Sequence, residues 1–117
     1  MTTTAALPQA HHSFAPFDMA NQKTVTGIVK TVEWTNPHTW IWLEVPNDKG
    51  GVDKFGVEGM SPNYLARRGW SKTTLKVGEK VSIVVHPMKD GSNAGTFIRA
   101  TGADGKPLAM TGQPTEP

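Results

Sequence analysis

The sequence predicts an all-β domain: a small five-stranded barrel with one short helix between its third and fourth strands. Three observations carry that prediction. Twelve Gly and nine Pro in 117 residues exceed the usual share of about 12% and mark a turn-rich chain. Five segments are rich in β-branched residues or alternate apolar and polar side chains with period 2. One short stretch, residues 61–69, carries helix signals instead.

The first strand is read over Lys23 to Trp34, a β-branched run with Gly27 in its middle. An internal Gly in a long strand signals a bend or bulge, as in a strand shared by both halves of a barrel. Asn36-Pro37 breaks the chain, because Pro donates no hydrogen bond and restricts the residue before it. His38 to Val45 alternates cleanly, with Ile41, Leu43 and Val45 on one face and His38, Trp40, Trp42 and Glu44 on the other. Pro46 to Gly51 reads as a hairpin loop and Val52 to Gly59 as the third strand.

The helix is expected at Pro62 to Arg68. Ser61 can cap its free N–H groups, Pro62 suits the first helical position, and Gly69 supplies a left-handed exit. Arg67 and Arg68 sit at the negative end of the helix dipole. Lys80 to His86 is the fourth strand, with Val81, Ile83 and Val85 inward, and Thr96 to Thr101 is the fifth. Three strands, a helix and two strands is the order of an OB-fold barrel, in which closure removes the open sheet edges. An open β-sandwich or roll with the helix at one end is the alternative.

Length and composition exclude several classes of function. The chain suits one domain, with residues 1–10 as a flexible tail, 11–105 as the barrel and 106–117 as a loose end. Without cysteine it forms neither disulfide nor thiolate metal site. Its apolar runs are too short to span a bilayer as helices. The net charge of +2 does not by itself imply a nucleic-acid partner. Acidic residues are interspersed with the lysines from Glu33 to Asp104, so a basic groove and a nucleic-acid partner are not expected. No nucleophile elbow, phosphate loop or reactive cysteine is present, and the chain leans away from an enzyme. Glu33 and Glu58 are acid/base candidates only if a pocket desolvates them. Glu58 is expected to pair with Arg67 or Arg68.

Several runs carry a family resemblance: HHSFAPFD at 11–18, WTNPHTW at 34–40, VEGMSPNYLARRGW at 57–70, LKVGEKV at 75–81 and HPMKDGSNAG at 86–95. Together they resemble a family of small bacterial proteins of unknown function whose members carry a secretion signal ending just before the HHSF run. The resemblance implies an exported, periplasmic protein with a compact β domain. It supplies no activity.

Two constellations offer a function. His11, His12, His38 and His86 are all the histidines, and imidazole is the commonest metal ligand. With a chain start at His11, the α-amine and ring nitrogens would suit Cu(II), and Met88 is a candidate thioether for Cu(I). This reading is an exported binding protein for a transition metal, copper favoured. The plain alternative is that His38 and His86 bond neighbouring backbone and the His11-His12 pair is tail. Trp34, Trp40 and Trp42, with Trp70 after the helix, form the second constellation. It is a stacking platform for a ring-shaped ligand or a protein partner, with Arg67 and Arg68 (and Lys72) as anion-binding candidates. The bland counterpart is a second small core, with Phe14 and Phe17 folded over the rings.

Overall fold

In the computed structural model of the chain, residues 15–108 are described. The elements run β1 (Lys23–Glu33), β2 (Trp40–Pro46), β3 (Val52–Glu58), α1 (Pro62–Arg67), β4 (Lys80–Pro87) and β5 (Ala94–Gly102). They close a barrel in the order β1-β2-β3-β5-β4. Every neighbouring pair is antiparallel except the closing pair, in which Gly56–Glu58 of β3 runs parallel to Ala94–Thr96 of β5. Among the described residues, the OB-type order and the single short helix expected from the sequence are both present. No helix among the described residues is long and apolar enough to cross a membrane.

β1 belongs to both halves of the barrel. Lys23 to Ile28 pair with β4, whereas Ile28 to Glu33 pair with β2, with a register shift between Val29 and Thr31. Gly27 sits where the strand turns from one partner to the other. A Cβ at that position would lie 2.5 Å from the Glu44 carbonyl oxygen, so the crossing requires a residue without a side chain.

The inward face of each strand meets in one core. It contains Val25, Val29, Ile41, Leu43, Phe55, Val57, Val81, Ile83, Val85 and Ala100, joined by Leu65, Trp70 and Leu75. Full burial of such aliphatic side chains stabilises by about 1.5–3 kcal/mol each. Val45, expected beside Leu43, is only half-buried and packs on the margin of that core, one residue past the end of the β1–β2 pairing.

α1 forms as its local signals dictate. Ser61 Oγ accepts from the Tyr64 amide at 3.2 Å, Pro62 opens the helix, and Gly69 leaves it with φ +93°. Its one buried residue is Leu65. Trp70 donates its amide to the Leu65 carbonyl and buries its ring edge-on against Phe97.

Three sequence expectations are corrected at the margins. Phe17 does not cover the tryptophans of β2. It is buried in an isolated bridge with Met88, fixed by Asp18 N–H to Pro87 O and Lys89 N–H to Pro16 O. Phe14 lies outside the described residues. Trp70 belongs to the core rather than to a surface platform. Residues 106–108 fold against β5, where Leu108 donates its amide to the Ala100 carbonyl, so the domain extends past residue 105. Elsewhere the strand ends move by one or two residues.

Candidate ligand-binding face

The pleat of β2 turns Ile41 and Leu43 inward, which leaves Trp40, Trp42 and Glu44 on the outer surface. Pairing on both sides then fixes their neighbours. Trp40 lies opposite Glu33 of β1 and Glu58 of β3, and Trp42 lies opposite Thr31 and Gly56. Glu44 lies opposite Ile28 and Lys54.

The two indoles are stacked, with centroids 5.6 Å apart and planes 14° from parallel. This is an offset arrangement that aromatic quadrupoles favour. Gly56 makes room for it: a Cβ there would lie 2.6 Å from Trp42 Cζ3 and 2.9 Å from Cη2. The Trp42 ring therefore lies across bare backbone of β3. Both indoles are half-buried. Beside Trp42 a shallow open groove is lined by Lys30, Thr31, Glu33, Trp42 and Lys54. Lys30 Nζ stands 4.0 Å from Glu44 Oε2, with both groups well exposed, a spacing at which an ion pair contributes little.

At the other end of this face His38 Nδ1 bonds the Gly59 carbonyl at 3.1 Å, and Nε2 approaches Glu58 Oε2 at 3.4 Å. Glu58 thus pairs with His38, not with Arg67 or Arg68. The β1–β2 connection lies beside the end of β3, whereas Arg67 ends α1 and Arg68 caps it. Arg67 is exposed, and the Arg68 guanidinium lies 3.9 Å from the centre of the Tyr64 ring, a cation–π contact. Neither arginine lines the groove beside Trp42. Trp34 packs partly against the core.

His86 bonds the Asn21 carbonyl through Nδ1 at 2.8 Å. His38 and His86 each therefore spend one ring nitrogen on backbone, the bland role the sequence also allowed. Among the described residues no three His, Cys, Asp or Glu side chains are grouped to hold a metal ion. His11 and His12 lie outside the described residues.

The groove adds Lys30, Thr31 and Lys54 to the residues singled out from sequence. Gly56 within KFGVE was the one local hint, since Gly inside a strand marks close approach. The two lysines carry no signal until the register places them beside Trp42.

Residues 1–99 match the model of a family of unknown function, DUF6152. The chain belongs to that family. Among solved structures the barrel is similar to the N-terminal domain of the PriB protein from Thermoanaerobacter tencongensis, an OB-fold domain whose structure is dimeric. The similarity has a TM-score of 0.50 at 19% identity and covers 72% of this chain and 97% of that one. At that identity it establishes the fold and nothing further. No curated protein matches the sequence.

Proposed function

We propose that this OB-fold domain is a binding module that takes a ring-shaped ligand on the outer face of β1, β2 and β3. The observation that carries the reading is the stacked Trp40–Trp42 pair with the groove beside it. In OB-folds the second and third strands form the surface that binds oligonucleotides and oligosaccharides. A half-buried indole with an open side offers a flat, apolar surface on which a ring stacks with little demand on its identity. The same reading takes the protein to act after export, on the family resemblance of its motif runs alone.

NMR titration with nucleosides, single-stranded oligonucleotides and soluble oligosaccharides tests the site across the main classes of ring-bearing ligand. The indole N–H signals of Trp40 and Trp42 are expected to shift, while that of core-buried Trp70 stays still. Shifts confined to Trp70 and α1, or no shift with any ring-bearing probe, would overturn the reading.

A further inference from the structure

The charges around the tryptophan pair distinguish between classes of ring ligand. Three carboxylates (Glu33, Glu44 and Glu58) and two ammoniums (Lys30 and Lys54) occupy the outer face of β1–β3. Single-stranded nucleic acid is held by a positively charged groove that tracks its backbone. Here Glu33 and Glu58 stand on either side of Trp40, where a phosphate chain running past stacked bases would meet negative charge on both flanks.

The groove beside Trp42 is close to neutral. Glu44 stands beside Lys30, and Lys54 and Glu33 carry opposite charges across the indole. A carboxylate only accepts hydrogen bonds, an ammonium only donates them, and the Thr31 hydroxyl does both. This mixed set suits a ligand whose groups are themselves both donors and acceptors. A sugar ring has that chemistry: hydroxyls around its rim and a C–H face that packs on the negative face of an indole.

We propose that the groove lined by Lys30, Thr31, Glu33, Trp42 and Lys54 binds a neutral saccharide, one pyranose ring stacking on Trp42 with its hydroxyls shared between Glu33 and Lys54. The assignment rests on the tryptophan face being the binding surface and adds the ligand class. Charge complementarity decides it: the face carries more negative than positive groups, alternating beside a flat ring, and a polyphosphate requires the reverse.

The test applies the full chain to an array of neutral and acidic glycans, with single-stranded oligo(dT) as a separate arm. Hits are quantified by calorimetry at low and high salt. At least one neutral glycan is expected to bind, with affinity changing less than about twofold with salt, unlike a ligand that displaces counterions. Trp42→Ala should abolish binding. Glu33→Gln and Lys54→Met should each weaken it about tenfold, in line with loss of a hydrogen bond to a charged group. Trp42→Phe, which keeps a ring, should retain part of the affinity and guards against a folding defect in Trp42→Ala. Absence of any neutral glycan hit overturns the proposal. Salt-dependent oligo(dT) binding that needs Trp42 would overturn the saccharide assignment and leave the tryptophan face standing. Glycan binding undiminished in both Trp42 variants would overturn the two together.

Discussion

Thr39 places a hydroxyl among carbon atoms. It is 2% exposed, and its Oγ1 has no hydrogen-bond partner among the described residues. It lines a small apolar cavity with Ile41, Gly59, Leu65, Trp70 and Phe97. An unsatisfied buried hydroxyl costs about 1–3 kcal/mol, and the isosteric Val removes that cost. Thr39→Val is therefore expected to raise the unfolding free energy by about 1 kcal/mol in chemical denaturation; a loss of stability would mean that the hydroxyl is bonded after all. Asp90 is the opposite case, a fully exposed carboxylate well supplied with donors. The Ser92 hydroxyl donates to its Oδ1 at 2.7 Å and the Ser92 amide at 2.9 Å. These bonds favour the charged form and hold the carboxyl below its ordinary range. A depressed folded value contributes stability above the unfolded value that disappears as acid protonates the group. Ser92→Ala should move the Asp90 carboxyl titration, followed by NMR, upward toward the ordinary aspartate range. An unchanged titration would assign the shift to other groups. At this scale the sequence is least legible: nothing in it pairs Glu58 with His38, because that contact depends on how two distant segments meet.

Elements were easier to read, to the extent that their signals are local. Ser61, Pro62 and Gly69 act within one or two turns of backbone, and α1 begins and ends where they say. The alternation in HTWIWLEV assigns each side chain of β2 to a face without reference to any other strand. It gives no sign that Trp42 rests on Gly56, since that requires the β2–β3 register. Gly56→Ala tests the consequence. The added methyl would overlap the far edge of the Trp42 ring, which can swing aside, so the strand should persist while the 5.6 Å stack opens. Coupled indoles give an exciton signature in far-ultraviolet circular dichroism. The Gly56→Ala variant is expected to lose it with the melting temperature little changed. A retained couplet would mean that β3 gives way instead of the ring.

At the scale of the whole molecule, the number, type and order of elements were legible because each announces itself over a few residues. The OB-type order also implied a closed barrel, but the particular pairings that close it were not legible, because they join segments far apart in the chain. The parallel seam of Gly56–Glu58 with Ala94–Thr96 joins residues almost forty positions apart, and neither segment marks the other as its partner. The barrel nevertheless rests on a core whose faces could be read. Ile83, fully buried at its centre, should cost about 2–5 kcal/mol when truncated to Ala, against almost nothing for exposed Lys72→Ala. A matching pair of denaturation midpoints would refute the register of β4. Closure itself is best probed at Gly27, where β1 passes from β4 to β2. A methyl there meets the Glu44 carbonyl at 2.5 Å and its carbon at 3.1 Å. Those are backbone atoms in a hydrogen-bonded strand, so they cannot rotate away as a side chain would. β1 must move away from Glu44 of β2 at the crossing, and overpacking of this kind costs about 1–3 kcal/mol. Gly51 is the control, since its added methyl would meet only the Asn47 side chain at 3.9 Å. There the reduced freedom of the unfolded chain should leave stability equal or slightly higher. Urea unfolding is therefore expected to show Gly27→Ala well below the parent and Gly51→Ala level with it. If both variants unfold with the parent, β1 does not cross β2 as closely as barrel closure requires.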